Sequence, residues 1–283
     1  SDASDAQAES NKSDSACTAL FDERSIGVVM FTSGTTGTPK AAALPWKSLL
    51  GAAAASNAYL NRHGEGVWQL TLPMFHVGGL EIALRSILND NPFIMYRAFH
   101  VKQVMCDVRE YGATHVSVVN ETLQAMMEED AANKTHVLSN YECLLLGGAA
   151  PNPRILKQAA ERRLRVYTSY GMTETCSQVA SHLVALDDHG DLTPLALRAI
   201  PGYTLDVKHP DSSTGIGQLC VFGPGVFGGY LNADAKFSDD GMLVTGDMAR
   251  KTSDGVMIAE RVSDMFVSGG ENVYPAEIRD AIL

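Results

Sequence analysis

From residue 25 onward, short runs of β-branched and apolar residues alternate with stretches of helical periodicity. The first run, Ile26–Thr32, predicts a buried strand that leads into a loop of small residues at 33–39. The alternation continues to about Thr193. It predicts an α/β fold, with a parallel sheet covered by helices and ligands at the carboxyl ends of its strands.

The individual elements follow from the same pattern. Asn152 and Pro153 are the residue types expected at the cap and first position of a helix. Further strands are predicted at 67–72, 92–96, 114–119, 142–146 and 164–168, and helices at 45–62, 76–88, 101–110, 121–130 and from 153.

After Thr193 the pattern changes to short strands separated by Gly and Pro turns, at 203–208, 217–222, 242–245 and 256–259. This spacing predicts a smaller antiparallel β subdomain. The first 20 residues are rich in Ser, Asp and Ala and have almost no large apolar side chains, so residues 1–24 are expected to form a disordered linker or tail.

The composition of the chain argues against several classes of function. The net charge is −11, and this diffuse acidity argues against general nucleic-acid binding, which needs basic surface. No apolar run is long enough to cross a bilayer, and the N-terminus lacks the features of a secretory signal. The five cysteines form no C-x-x-C pair and indicate neither a disulfide framework nor a zinc site. We expect a cytoplasmic protein.

The most informative segment is TSGTTGTPK at 32–40. Two glycines let the backbone approach a ligand, and hydroxyls, amides and Lys40 converge on a short loop, as phosphate binding requires. It is not a Walker A loop, because Ala41 stands where a magnesium-binding Ser or Thr would follow the lysine. A polar surface loop remains the alternative.

Three further motifs are weaker when taken alone. Glu174 in YGMTET (170–175) could bind Mg²⁺, or Thr173 could simply cap a following helix. Asp247 in TGD could accept ribose hydroxyls, or it could be a turn aspartate. The segment at 260–278, with Gly269-Gly270 and Pro275, is typical of a loop and equally of a lone turn.

In this order the motifs resemble those of the adenylate-forming superfamily, which includes acyl- and aryl-CoA synthetases, luciferases and peptide-synthetase adenylation domains. Residues 32–40 are similar to its phosphate loop, 170–174 to its adenine and magnesium motif, and 245–247 to its ribose site. Residues 147–151 resemble the loop along adenine, and 260–278 the interdomain hinge.

The resemblance implies a role for each matching residue. Lys40 and the loop hydroxyls would hold the β- and γ-phosphates of ATP, Thr173 would contact the α-phosphate, and Glu174 would ligate Mg²⁺. Tyr170 would lie near adenine, with Asp247 and Arg261 at the ribose. The other positions that it places at the nucleotide are Thr32, Ser33, Gly34, Thr35, Thr36, Gly37, Gly148, Ala149, Ala150, Gly171 and Met172.

Within the superfamily the chain most resembles the o-succinylbenzoate–CoA ligases of menaquinone biosynthesis. His76 matches the histidine beside the acyl pocket, where a structural helix cap is the alternative, and Gly147 and Ser169 would line that pocket. Arg85 stands where this branch places a cation near the second carboxylate of the substrate, although a helix-surface arginine is equally expected. A buried, unpaired cation would cost several kcal/mol beside a fatty acyl tail.

The implied reaction is ATP-dependent formation of an acyl-adenylate and then of a thioester with coenzyme A. The partners are therefore a carboxylic acid, ATP with Mg²⁺, and CoA, with no nucleic acid and no membrane span; a homodimer is one expected assembly. A ligase for another aryl or medium-chain acid, a carrier-linked adenylation domain and a non-catalytic nucleotide-binding remnant are the alternatives.

The resemblance also implies a division of the chain. Residues 25–193 would form the nucleotide- and acyl-binding region, 194–262 a β-rich subdomain that completes the nucleotide site, and 263–283 the hinge and the start of a C-terminal lid. Ser263 and Asp264 are the hinge candidates, and Glu260 departs from the usual glycine. Because most of the lid lies beyond residue 283, we expect the chain alone to bind nucleotide but to adenylate poorly.

Overall fold

A computed structural model describes residues 22–32, 39–60, 66–261, 266–268 and 271–273. Most of the predicted tail, the loop residues 33–38 and the hinge candidates Ser263 and Asp264 lie outside these ranges. The described residues form four sheets and the helices packed on them. The strands are β1 (Ile26–Thr32), β2 (Lys40–Pro45), β3 (Trp68–Leu70), β4 (Phe93–Met95), β5 (His115–Val118), β6 (Cys143–Leu146), β7 (Val166–Met172), β8 (Ser177–Leu183), β9 (Arg198–Ala199), β10 (Thr204–Lys208), β11 (Ile216–Phe222), β12 (Gly229–Tyr230), β13 (Leu243–Thr252), β14 (Gly255–Arg261), β15 (Phe266–Ser268) and β16 (Glu271–Val273).

The helices agree with the pattern of apolar positions to within a few residues. Asn152 caps the last of them as expected, because its side chain accepts hydrogen bonds from the backbone N–H groups of Arg154 and Ile155 at 3.0 and 3.5 Å. The α-helices are α1 (Trp46–Leu60), α2 (Val77–Leu88), α3 (Val101–Tyr111), α4 (Asn120–Asn133) and α5 (Pro153–Glu161), with short 3-10 helices at Val137–Asn140 and Thr173–Thr175.

The largest sheet has seven strands in the order β4-β3-β5-β6-β7-β8-β9. The strands from β4 to β7 are parallel, and β7, β8 and β9 are joined antiparallel. The α/β fold class is therefore confirmed, with a mixed rather than wholly parallel sheet. Among the described residues, no helix combines the length and apolar character that a membrane span requires.

Strand β6 shows why the sheet is covered on both faces. All four of its residues are buried, and alternate side chains enter different clusters. Leu144 and Leu146 pack with side chains of α3, α4 and α5, whereas Cys143 and Leu145 pack with Trp68 and side chains of α2. Successive side chains of a strand point to opposite faces, so a continuous apolar run needs a cover on each side.

Among the strands of six or more residues, β2 and β8 are absent from the pattern-based prediction. β2 has the sequence KAAALP, whose small residues carry little β-propensity, yet it pairs antiparallel with β1. β8 has the sequence SQVASHL, and its Gln, Ser and His are not residues that favour a strand. Both strands are specified by their neighbours in the sheet rather than by their own residues.

Strands between residues 204 and 261 form the smaller antiparallel sheet that the sequence predicts. Its four strands lie in the order β10-β11-β13-β14, and every neighbouring pair is antiparallel. β13 is much longer than the predicted segment 242–245, because it continues through the TGD motif to Thr252. The TGD motif therefore lies within a strand.

Candidate functional site

The predicted phosphate loop joins the two strands of a hairpin. Thr32 at the end of β1 is paired with Lys40 at the start of β2, so the two residues hold both ends of the loop together. The predictions for Ser33, Gly34, Thr35, Thr36 and Gly37 fall outside the described residues. What the structure establishes is the frame on which the loop is mounted.

Asn232 fixes the outgoing end of this loop. Its side-chain oxygen accepts from the backbone N–H of Ala41 at 2.8 Å, and its amide nitrogen donates to the carbonyl of Pro39 at 3.0 Å. Asn232 lies two residues after the end of β12, which pairs with β2 through Tyr230 and Ala42. The residues on both sides of Lys40 are therefore held by a segment almost 200 positions away.

Glu174 lies in the 3-10 helix that follows β7 and is only 6% exposed. The hydroxyl of Tyr230 donates to its Oε1 at 2.5 Å, and the N–H of Phe227 donates to its backbone carbonyl at 2.9 Å. Burial, and then the bond to Glu174, raise the pKa of Tyr230 above its usual range, so this hydroxyl stays protonated. The alternative for Thr173 is wrong, because no α-helix begins there and Met172 holds the cap position.

The backbone around Glu174 is tightly constrained. Cys176 and Ser177 both have positive φ, at 49° and 81°, and such residues cost on the order of 1–3 kcal/mol each. A Cβ at Gly171 would overlap the carbonyl oxygen of Ser177, so only glycine fits in the facing strand. The sharp reversal between β7 and β8 fixes the direction of Glu174.

Lys40 and Glu174 are brought together through Tyr230. The ammonium group of Lys40 lies 5.1 Å from the centre of the Tyr230 ring, whose hydroxyl binds Glu174. A cation at this distance over an aromatic face is attracted by the ring quadrupole. The end of the predicted phosphate loop and the predicted magnesium carboxylate therefore share one side of the molecule, as a common ligand requires.

Tyr170 and Asp247 also meet. The hydroxyl of Tyr170 in β7 donates to Oδ2 of Asp247 in β13 at 2.6 Å, and Asp247 is 5% exposed. Arg261 is the residue paired with Asp247 across β13 and β14, so the backbone of the third predicted nucleotide residue lies beside that of Asp247. The turn-aspartate alternative is wrong, because Asp247 lies within a strand.

The predicted adenine loop lies at the carboxyl end of β6. Gly148, Ala149 and Ala150 are exposed, and the carbonyl of Ala150 accepts from the side chain of Asn120 at 3.0 Å. A Cβ at Gly147 would be 3.7 Å from Cβ of Ser169, which places these two predicted acyl-pocket residues side by side.

His76 occupies the N-cap position of α2 and is exposed. Its side chain makes no capping hydrogen bond, so the alternative of a side-chain cap is wrong. The ring instead contacts that of Phe75, which is 75% exposed, with centroids 4.7 Å apart. Two aromatic rings thus stand together at the start of the helix that carries Arg85.

Arg85 is 2% exposed, and the alternative of a helix-surface arginine is wrong. Its guanidinium lies 4.4 Å from the Trp68 ring and donates to the hydroxyl of Ser56 at 3.0 Å. Ser56 in turn donates to Gln178 at 2.7 Å. The cation therefore has protein partners of its own in the interior.

Glu81 lies one helical turn before Arg85 and is also 2% exposed. Burial raises the pKa of Glu81, with the positive charge of Arg85 opposing that shift, and burial lowers the pKa of Arg85. Among the described residues, Glu81 Oε1 and Gln178 Nε2 are buried without a hydrogen-bond partner. Burial also raises the pKa of the nearby Cys143 thiol to about 12, which makes it an inert core residue.

Sequence reasoning missed Tyr230, Asn232, Glu81, Ser56 and Gln178. The strongest available signal was GGYLN at 228–232, where an aromatic and an amide stand two residues apart after two glycines, the spacing of one strand face. The other three residues gave no local signal, because each lies in an element that also reads as ordinary core.

Comparison with known proteins identifies relatives of the whole chain. A 2-succinylbenzoate–CoA ligase from Staphylococcus epidermidis is 35% identical over 263 residues, covering 91% of this chain and 54% of that protein. One from Geobacillus kaustophilus is 34% identical over 272 residues, covering 93% and 54%. The chain thus spans about half the length of the curated relatives it matches.

Solved structures of proteins with the same named function are also similar to this chain. O-succinylbenzoate coenzyme A synthetase from Bacillus subtilis, in complex with AMP, superimposes with a TM-score of 0.82 at 28% identity, covering 93% of this chain and 55% of that one. Its complex with ATP and a magnesium ion matches equally well. The family described as AMP-binding enzyme matches residues 1–231. The chain belongs to the AMP-binding enzyme family.

Proposed function

We propose that this chain is the nucleotide- and acid-binding part of an ATP-dependent acid–CoA ligase whose acid is o-succinylbenzoate. The observation that carries the proposal is the convergence of Lys40 and Glu174 on Tyr230, beside a frame for a glycine- and hydroxyl-rich loop. The names of the relatives support the choice of acid.

The nucleotide would lie across the carboxyl ends of the parallel strands. Asp247 would accept the ribose hydroxyls, Lys40 and the loop at 33–38 would bind the β- and γ-phosphates, and Thr173 the α-phosphate. No general base is needed, because a carboxylate substrate is already ionised at pH 7. The attack of this carboxylate on the α-phosphorus expels pyrophosphate and gives the acyl-adenylate, whose acyl group then passes to the thiol of coenzyme A with release of AMP.

The residues present suit a magnesium ion. Mg²⁺ binds through one or two protein carboxylates together with phosphate oxygens and water. A carboxylate has about four lone-pair positions, and the described residues occupy one of them on Glu174. When bound there, the ion would supply positive charge beside the phosphates, where negative charge develops.

The acid would enter beside His76, Gly147 and Ser169. Arg85 is the proposed contact for the second carboxylate. Its protein partners change how strongly it would exclude a substrate that has only one carboxylate. Because Glu81, Ser56 and Trp68 already accompany the guanidinium, an apolar acyl tail would not leave it unpaired, and the penalty against a monocarboxylate is smaller than for an isolated cation. A ligase for another aryl or medium-chain acid therefore stays the second candidate.

The test is a screen of carboxylic acids for CoA-dependent release of AMP by the full-length enzyme, with o-succinylbenzoate first and benzoate, succinate and octanoate as partial mimics. We expect o-succinylbenzoate to give the highest kcat/KM. A better monocarboxylate would transfer the assignment to another acid, and ATP binding without turnover on any acid would favour a non-catalytic remnant.

A further inference from the structure

The segment at residues 227–232 contacts both halves of the nucleotide site. On one side it holds Glu174 twice, through the N–H of Phe227 and the hydroxyl of Tyr230. On the other it pairs with β2 and, through Asn232, binds the residues on either side of Lys40. Within the part of the chain that the structure describes, Tyr230 is the side chain that contacts both charged groups.

The two contacts use different parts of Tyr230. The hydroxyl serves Glu174, because an ionised carboxylate can only accept a hydrogen bond and the phenol supplies the proton. The face of the ring serves Lys40 at 5.1 Å. The ring itself is held edge-on by Phe227, with centroids 4.9 Å apart and the planes at 76°.

This arrangement keeps opposite charges close without letting them neutralise each other. Among the described residues, neither Lys40 nor Glu174 takes part in an ion pair, although one aromatic ring links them. A direct ion pair would occupy the groups that must bind phosphate and metal. A neutral ring with a donor at its tip orients both groups and leaves their charges intact.

We propose that Tyr230 is a positioning residue that aims Glu174 at the divalent cation and Lys40 at the phosphates of the nucleotide, and holds the two side chains apart. The inference rests on the proposed function, since it needs a nucleotide and a metal at this site. Residues that orient a metal ligand typically change metal affinity about 10- to 100-fold when they are removed.

The experiment separates the hydroxyl from the ring in the full-length protein. ATP binding is measured by calorimetry at a series of MgCl₂ concentrations for wild type, Tyr230→Phe and Tyr230→Leu. We expect Tyr230→Phe to raise the half-saturating Mg²⁺ concentration about tenfold, with the ATP affinity at saturating Mg²⁺ unchanged. Tyr230→Leu should show the same Mg²⁺ effect and, because Lys40 loses the ring, weaken ATP binding about a further threefold.

Tyr96→Phe is the matched control. The hydroxyl of Tyr96 also donates to a carboxylate, that of Asp107, at 2.6 Å, but it lies outside the proposed site. We expect Tyr96→Phe to lower thermal stability about as much as Tyr230→Phe and to leave the Mg²⁺ requirement at the wild-type value. Equal Mg²⁺ requirements in the two Phe variants would overturn the proposal, as would equal ATP affinities in the Phe and Leu variants.

A double variant tests whether Tyr230→Phe acts by a general loss of stability rather than through the position of Glu174. In a Glu174→Gln background, Tyr230→Phe should change the Mg²⁺ requirement less than twofold, because the group that it orients is gone. A full tenfold change in that background would contradict the positioning role. If wild-type protein bound ATP without any Mg²⁺ dependence, the metal assignment within the proposed function would fail instead, so the two failures are distinguishable.

Discussion

Buried charges occur in two regions of this molecule, and the two regions treat them differently. At the proposed nucleotide edge, Glu174 and Asp247 each accept a short hydrogen bond from a tyrosine, Tyr230 and Tyr170 respectively. In the interior beside α2, Glu81 and Arg85 lie one helical turn apart and act on each other. All four side chains are at most 6% exposed.

The difference shows how burial can preserve or cancel a charge. A neutral hydroxyl orients a carboxylate and leaves its negative charge for a ligand, whereas an opposite charge nearby compensates it within the protein. The first arrangement suits a site that binds a cation with phosphates. The arrangement with compensating charges suits the protein interior, which must be stable before any substrate binds.

The largest expected effect on stability comes from removing Arg85, the positively charged neighbour of Glu81. Arg85→Ala leaves Glu81 buried without its counter-charge, and loss of one partner of a buried pair costs about 3–5 kcal/mol. We expect a correspondingly lower free energy of unfolding in urea at pH 7. Arg109→Ala, which removes an exposed arginine, is the control and should change stability by less than about 0.5 kcal/mol.

The double variant Glu81→Gln/Arg85→Met sharpens the same comparison. Replacing both members of a buried pair by neutral groups is often nearly neutral for stability. We therefore expect it to recover most of the loss seen with Arg85→Ala. A double variant as unstable as Arg85→Ala would show that the stacking of Arg85 on Trp68, rather than its charge, governs this region.

The next effect is on catalysis at the nucleotide edge. Glu174→Gln should lower the rate of adenylation in the full-length enzyme about a hundredfold, the scale for losing one aimed electrostatic group, while ATP binding weakens far less. Pyrophosphate exchange measures the first quantity and calorimetry the second. Equal rates of pyrophosphate exchange in wild type and Glu174→Gln would remove Glu174 from the metal site.

Asp247→Asn should have the opposite pattern. It should raise the ATP concentration needed for half-maximal exchange and change the exchange rate at saturating ATP little.

A smaller effect is expected from Gly171→Ala. The added methyl group would overlap the carbonyl of Ser177, so the turn that carries Glu174 must shift, at about 1–3 kcal/mol. Chemical unfolding should show the loss. Gly78→Ala is the matched control, because its Cβ would meet its nearest neighbour at 3.6 Å and should fit; equal stability of the two variants would argue against a tight reversal at Ser177.

The smallest effect depends on pH and reports on Glu81. Burial raises its pKa above the ordinary 4.5, so the folded protein binds the proton more tightly than the unfolded chain. The stability contributed by this group is complete below pH 4.5 and is lost as the pH rises through the folded-state pKa. Glu81→Gln removes that loss, so the difference in Tm in favour of the variant should grow from pH 5 until the pH passes the folded-state pKa of Glu81, and stay constant above it. A difference that is constant from pH 5 upward would show that Glu81 is ionised throughout.

The periodicity of the sequence was enough to predict most of the main sheet. Strand β6 illustrates the reason, since four consecutive apolar residues between polar ones can be buried on both faces only within a covered sheet. β2 and β8 could not be found in this way. Their small and polar residues become strand only because β1 and β7 offer hydrogen-bonding edges beside them.

The same distinction between local and long-range signals applies to the residues of the candidate site. The motifs around Lys40, Glu174, Tyr170 and Asp247 are weak or ambiguous alone, but they are short runs whose order along the chain resembles that of a known superfamily. Tyr230 and Asn232 gave no comparable signal, because their partners lie 56 and 191 positions away along the chain. Nothing in a local window records a contact of that kind.

The sequence by itself thus determined the α/β class, the antiparallel second sheet, the family resemblance and the candidate residues for the nucleotide site. Only the tertiary structure decided that Arg85 is buried beside Glu81, that Asp247 lies within a strand, and that one tyrosine links Lys40 to Glu174. The physical reason is that secondary structure and motif chemistry depend on neighbours in sequence. Burial and charge compensation depend on neighbours in space, which are assigned only when distant segments pack.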